Sequence, residues 1–250
     1  MSQLELKQVT VNVPSDAGVN TLLANINLTL NAGDFVTVLG TNGAGKSTLF
    51  NTIAGNLPVT AGTIELDGHD VTHLSPERRA QYIARVFQDP KLGTAPRMTV
   101  AENLALAAHR GERLHFRSRQ LKAQKAHFKT LTAQTGNGLD ATLDRATASL
   151  SGGQRQALSL LMATLKQPDL LLLDEHTAAL DPHTSKAIMQ LTAKIMAEQQ
   201  LTGLMITHQM EDALAYGNRL IVLDHGAIVA DYAAAEKAQL KREDLLAYFG

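Results

Sequence analysis

Two short segments carry residue types that could handle a phosphate. Gly40-Thr41-Asn42-Gly43-Ala44-Gly45-Lys46-Ser47 fits the pattern G-x-x-x-x-G-K-[ST]. Glycines let backbone N–H groups converge on phosphate oxygens, and a helix starting at Lys46 adds the positive end of its dipole. Lys46 supplies a point charge to the β- and γ-phosphates of a nucleotide, and Ser47 a hydroxyl to Mg²⁺. The second segment is Leu170-Leu171-Leu172-Leu173-Asp174-Glu175. Four aliphatics suit a buried strand, and two acids then fall at its C-terminal end, the edge where parallel sheets bind ligands. Asp174 would hold Mg²⁺ through water, and Glu175 would orient or deprotonate an attacking water.

The glycine loop alone fits a kinase, a GTPase or a helicase. Leu150-Ser151-Gly152-Gly153-Gln154-Arg155-Gln156 separates the cases. Ser151 is a good N-cap, and two glycines at a helix entrance expose N–H groups to an anion. The chain thus has a second phosphate-binding loop besides the one that already cradles phosphates. A C2 pair, in which each copy lends this loop to its partner's nucleotide, accounts for both.

The elements that must position these loops alternate. Residues 4–39 read as strands with turns, ending in the apolar run Phe35–Leu39 that delivers the glycine loop. Gly62–Asp67 is a further strand. Ser75-Pro76-Glu77 caps and starts a helix that the pattern extends toward Ala84. From 93 to 150 no good strand occurs. Thr99 and Glu102 fit a capping box, and Leu114, Leu121 and Phe128 recur every seven residues as one apolar stripe. Arg110, Arg113, Arg117, Arg119, Lys122, Lys125 and Lys129 cover the rest, which reads as a solvated face. From 151 onward helix and strand alternate again: helix 153–165, strand 170–173, a helix from Asp181-Pro182 and strand 204–207. A hairpin follows, 220–223 with 228–230 around His225-Gly226, and then a short helix at 243–249. Strand and helix taking turns predicts an α/β fold with a mainly parallel sheet and a helical insert.

The chain has 250 residues, 44% of them hydrophobic and 19% charged, enough for one core domain carrying an insert. A net charge of −1 gives no global excess that would call for nucleic acid. The absence of cysteine excludes a disulfide framework, a Cys-ligated zinc and a thiol nucleophile. Leu170–Leu173, the longest aliphatic run, falls far short of the ~20 residues of a membrane span. His69 and His73 straddle a turn-to-helix junction and lack a neighbouring acidic or His cluster to complete a metal site.

The ordered motifs resemble the ATP-binding-cassette (ABC) ATPases, specifically the nucleotide-binding subunit of an ABC transporter, over almost the whole chain. The resemblance implies a P-loop NTPase (RecA-like) core, residues 1–92 and 151–230, with an antiparallel β part. It also implies a helical subdomain at 93–150 and a short tail at 231–250. It makes Gly40–Thr48 the Walker A loop, with Thr41, Asn42, Gly43, Ala44, Gly45, Lys46, Ser47 and Thr48 on the nucleotide. Leu170–Glu175 becomes Walker B with Glu175 catalytic, and Ser151, Gly152, Gly153 and Gln154 the signature that meets ATP in trans. Asp181 lies in the D-loop, Gln88 in Phe87-Gln88-Asp89-Pro90 is the Q-loop residue, and His208 is the switch histidine. In the family Gln88 reaches Mg²⁺ and the attacking water, and His208 contacts the γ-phosphate and positions Glu175. Mg²⁺ is then held by Ser47, Gln88 and, through water, Asp174.

The implied partners are a second copy on ATP binding, integral membrane permease subunits and a separate substrate-binding protein, with no nucleic acid. The implied place is the cytoplasmic face of the cell membrane, and the insert is expected to meet the permease. The basic helix could also contact anionic lipid headgroups. The other class considered, a soluble ABC ATPase acting on ribosomes or DNA, usually brings tandem cassettes or long coiled-coil inserts. Two positions depart from the family pattern. No aromatic occurs from Met1 to Asp34, where many members stack adenine, which leaves an aliphatic such as Val13 or Val19 for that role. His176 follows Glu175 where proline is usual; Asp174-Glu175-His176-Thr177 resembles an importer subgroup, some of whose members are linked to aromatic amino acids. A packing or hydrogen-bonding role is expected for this imidazole.

Overall fold

A computed structural model of the chain describes residues 2–15, 18–112 and 121–249. In chain order the strands are β1 (Ser2–Ser15), β2 (Gly18–Asn31), β3 (Phe35–Leu39), β4 (Ala61–Leu66), β5 (His69–Asp70), β6 (Ile83–Val86), β7 (Leu170–Asp174), β8 (Gly203–Ile206), β9 (Arg219–Asp224) and β10 (Ala227–Tyr232). The α-helices are α1 (Lys46–Ala54), α2 (Pro76–Arg79), α3 (Val100–Ala108), α4 (Leu121–Ala133), α5 (Gly152–Thr164), α6 (Pro182–Gln199), α7 (Met210–Ala215), α8 (Ala234–Lys237) and α9 (Arg242–Leu246). Among the described residues they build a four-stranded sheet, β2-β1-β4-β5, and a six-stranded sheet, β10-β9-β3-β8-β7-β6. The first is antiparallel. The second is parallel except for the β9–β10 hairpin.

The strands of the larger sheet read as unbroken apolar runs because both faces are covered. Side chains alternate between the faces. Val36, Val38, Leu170, Leu172, Leu204 and Ile206 pack with α1 and the antiparallel sheet. Their neighbours Phe35, Leu171, Leu173 and Met205 pack with α3, α5 and α6 on the other side. The parallel register then decides function: Val38 pairs Ile206, Asp174 pairs Ile206 and Val86 pairs Leu173. The segments after β3, β6, β7 and β8 therefore all leave the sheet along one edge.

The helical stretch between β6 and α5 joins the same core through Leu104, Phe128, Leu139 and Leu143. Thr99 and Glu102 form the expected reciprocal cap on α3. In the heptad stripe Phe128 is buried and Leu121 half-buried, whereas Leu114, Arg113, Arg117 and Arg119 lie outside the described residues. Lys122, Lys125 and Lys129 are exposed as expected. Arg110 is not: its guanidinium donates to the carbonyls of Ala163, at 2.7 Å, and Lys166. The final helix sits at Arg242–Leu246, slightly earlier and shorter than the sequence reading.

The helix expected from Ser75 toward Ala84 starts as read but stops short. α2 ends at Arg79, and Ile83–Val86 is the edge strand β6. Arg79 explains the stop. It is 2% exposed and donates to the carbonyls of Thr52 (2.8 Å), Ile53 (2.7 Å), Thr72 (2.7 Å) and Leu74 (3.1 Å). A cation is thereby placed on the C-terminal end of α1, where the dipole favours it. Continued helix at 80–86 would forfeit the ladder with β7.

Candidate functional site

The glycine loop leaves β3 at Gly40 and enters α1 at Lys46. A Cβ at Gly40 would stand 2.3 Å from the Leu223 carbonyl oxygen, so no side chain fits there. Gly45 caps α1 with φ +101°, a conformation that glycine adopts freely. Lys46 is buried, and its Nζ donates to the carbonyls of Gly40 (2.7 Å) and Thr41 (2.9 Å). Burial pushes its ammonium below the usual lysine range, against the opposing pull of Glu175 and Asp174. A cavity of about 510 Å³ opens here, floored by Asn42, Gly43, Gly45, Lys46, Ser47 and Thr48, with Glu175 on its wall.

At the end of β7 the chain turns sharply. Glu175 has φ +42°, a left-handed conformation that costs a non-glycine residue roughly 1–3 kcal/mol. Its amide donates to the Ile206 carbonyl at 3.2 Å, which pins the turn to β8. Its Oε2 lies 3.4 Å from His208 Nδ1, just past the end of β8. Glu175, Lys46 and His208 thus converge from three neighbouring strand ends. Gln88 is exposed beyond β6 and does not line the cavity.

Ser151 caps α5: its hydroxyl accepts from Gln154 N at 3.2 Å, while Gln154 Oε1 accepts from Ser151 N at 3.3 Å. The amides of Gly152 and Gly153, in the first turn, have no intrahelical acceptor. Asp181 caps α6, accepting from Thr184 N at 3.1 Å, and this bonding to Thr184 holds its carboxyl below the usual range. A Cβ on Gly153 would meet Thr184 Cγ2 at 2.4 Å, so the two caps are packed together. None of residues 151–154 lines the cavity at Lys46.

The sequence profile of the ABC transporter family matches residues 23–178. The chain is 44% identical over 247 residues to the "Tyrosine transport ATP-binding protein" of Clostridioides difficile, covering 98% of both. The chain belongs to the ABC transporter ATP-binding family. This ABC ATPase is also 36% identical to the "Thiamine import ATP-binding protein ThiQ" of Photobacterium profundum, over 92% of this chain and 90% of the relative. It is 33% identical to the "Spermidine/putrescine import ATP-binding protein PotA" of Haemophilus influenzae, of which it spans 57%. Among solved structures, a dimeric post-hydrolysis ATP-binding cassette bound to ADP and Pi superposes with TM-score 0.77 at 28% identity, covering 92% of this chain and 98% of that one. The protein is the ATP-binding, ATP-hydrolysing subunit of an ABC transporter.

The ABC ATPase has features that sequence reasoning missed. The far wall of the cavity is Asn20, Thr21, Leu22 and His225, and not Val13 or Val19. His225 is the only ring among the described residues lining it. Its turn is fastened by Gly226, whose amide donates to the Ala44 carbonyl and whose carbonyl accepts from the Ala24 amide, both at 2.9 Å. The signal was present, since His225 follows a strand of the same sheet, as Glu175 and His208 do.

His176 points away from the cavity and is fully buried, with Nε2 2.9 Å from Thr192 Oγ1. The Thr192 hydroxyl donates to the Ile188 carbonyl at 2.8 Å, so Nε2 carries the ring proton. Burial pushes this imidazole down to about 4. The side chain locks the Glu175 turn onto α6.

Proposed function

We propose that this ABC ATPase drives an importer from the cytoplasmic face of the membrane, as a homodimer that sandwiches two ATP molecules. The separation of its two phosphate-binding loops carries the reading. Gly40–Thr48 cradles phosphates in one cavity, whereas the capped amides of Gly152 and Gly153 face outward elsewhere. A second copy related by a two-fold axis brings each outward loop to the other's nucleotide.

Within that sandwich, Lys46 and the loop amides hold the phosphates, and Glu175 orients or deprotonates the attacking water. His208, 3.4 Å from Glu175, fixes the carboxylate and contacts the γ-phosphate. The donors fit a hard divalent cation: the Ser47 hydroxyl lies at the cavity past β3, with the Asp174 carboxylate at the end of β7, two strands away. Among the described residues no three His, Cys, Asp or Glu side chains cluster to chelate a metal. Such an ion takes its other ligands from phosphate and water. Ser47, Asp174 through water, and Gln88 on closure would hold Mg²⁺, which neutralises phosphate charge when bound. On the base side, the His225 ring stands in for the missing aromatic.

A groove of about 510 Å³, walled by Ala84, Phe87, Leu106, Met162 and Ala163, suits a permease's cytoplasmic segment. Arg85 and Arg110 stand in the same wall, each with a buried Nε that has no acceptor, so the docked segment should present acceptor groups. A separate substrate-binding protein completes an importer. The near-full-length likeness to a tyrosine transport subunit makes an aromatic amino acid the cargo to test. The soluble alternative is disfavoured by the transport and import proteins among the relatives.

The decisive experiment replaces Ser151 by arginine. Cooperative ATPase activity should vanish while ATP affinity of the monomer stays at the wild-type value. Equal loss of monomer affinity would sink the shared-site reading. Vesicles carrying permease, binding protein and this subunit should accumulate tyrosine only with ATP; uptake of other cargo alone would reassign the substrate.

A further inference from the structure

The edge of the parallel sheet holds one cation where its neighbours are apolar. Arg85 lies in β6 between Ala84 and Val86, in register with Leu172 of β7. Its Nη2 donates to Asp174 Oδ2 at 2.5 Å, its Nη1 donates to Asn51 Oδ1 at 2.7 Å, and its guanidinium carbon lies 4.9 Å above the Phe87 ring. The two ion-pair side chains are 13% and 17% exposed, so solvent and salt screen the pair weakly. Fork geometry lets one guanidinium span α1 and β7 at once, which a lysine ammonium cannot do.

This arrangement is costly for stability alone. A buried ion pair seldom outperforms apolar residues of similar volume. Here the Arg85 Nε is also buried without an acceptor, which adds an unmet desolvation cost. A site of this kind is better explained by what it does to Asp174. The carboxylate that would hold the water on Mg²⁺ already has one oxygen engaged by a full positive charge. That charge also stands near the place where a divalent cation must sit. Like charges sharing one carboxylate weaken each other's hold on it.

The geometry points to Arg85 as a positioning residue that competes with the divalent cation for Asp174, and so sets how tightly the ATP-loaded protein holds its metal. Arg85 also lines the groove described above, so whatever draws its guanidinium toward the groove loosens it from Asp174. The inference rests on the reading of Asp174 as the metal-side carboxylate.

The test measures metal binding without turnover. In a Glu175→Gln background, ATP affinity is determined by calorimetry with Mg²⁺ and again with EDTA, and the ratio reports the metal's contribution. Arg85→Met should raise that ratio at least about fivefold, the lower end of ordinary coupling between sites. Arg85→Lys should give an intermediate rise. Asp174→Asn should lower the ratio. Circular dichroism melts identify the folded variants, and if Arg85→Met does not fold, Arg85→Lys carries the comparison. An unchanged or lowered ratio in a folded Arg85 variant, with Asp174→Asn still lowering it, overturns the role of Arg85 alone. A ratio indifferent to Asp174→Asn overturns the underlying metal reading, and the inference with it.

Discussion

Taking the pH from about 7.5 to about 4.5 should destabilise the chain through His176. In the folded protein the ring is neutral, with its single proton on Nε2 donated to Thr192. A second proton would place a charge in the core with no counterion, so burial lowers the folded pKa from the ordinary 6.5 to about 4. In the unfolded chain the ring titrates at its ordinary value. Between those two values the unfolded state binds more protons than the folded one. The stability is therefore whole above the unfolded pKa and is lost as pH falls toward the folded one. Integrated over that descent, the single site removes about 2–3 kcal/mol. Urea unfolding of wild type and His176→Gln, at matched steps of pH, isolates it, because every other titrating group contributes to both proteins. The wild-type curve should fall more steeply by that amount. Parallel pH dependences in the two proteins would refute a neutral, buried ring.

Further outcomes follow from the same geometry. Glu175→Gln should keep ATP binding, cut turnover at least about a hundredfold and give an ATP-stable dimer on a sizing column; sustained steady-state hydrolysis would remove Glu175 from its role. Gly40→Ala should cost about 1–3 kcal/mol in urea titrations through the clash with the Leu223 carbonyl, and a wild-type midpoint would show that the loop can give way. His225→Ala should weaken ATP binding about fivefold, the equivalent of one lost stacking contact of ~1 kcal/mol, with His225→Trp restoring it. Equal affinities across the three proteins would exclude the ring from the base site.

Much of the site was legible because its chemistry is tied to local pattern. Lys46, Ser47, Asp174 and Glu175 stand at strand ends that the apolar runs announce. The Thr99 and Ser151 caps are written in adjacent residues and both form as read, whereas Ser75 opens α2 without a side-chain cap bond. The Ile83–Val86 strand was hidden for the opposite reason. Four residues around a central arginine have no strand signature of their own, and what makes them a strand is the exposed edge of β7, far away in sequence. Arg79 likewise looks like a surface helix residue until α1 offers it carbonyls. Missing β6 concealed Arg85, since an arginine drawn on a helix has no reason to meet Asp174. Val13 and Val19 follow from analogy with an aromatic position, whereas the far wall of the cavity is shaped by the packing of the β9–β10 turn against β2 and Ala44.

The two-sided burial of β7 bears on how the protein comes apart. Leu170 through Leu173 are fully shielded, so their amides should exchange with solvent only when the whole domain opens. The residues proposed to bind phosphate and water extend directly from that strand and its neighbours. The outward-facing half-site at Gly152 and Gly153 hangs instead on a helix terminus held by two side-chain caps, a contact that can fray while the rest stays folded. Each composite site would thus join a face that fails only with the fold to one that can loosen on its own, and local breathing should abolish the dimer before it empties the nucleotide cradle.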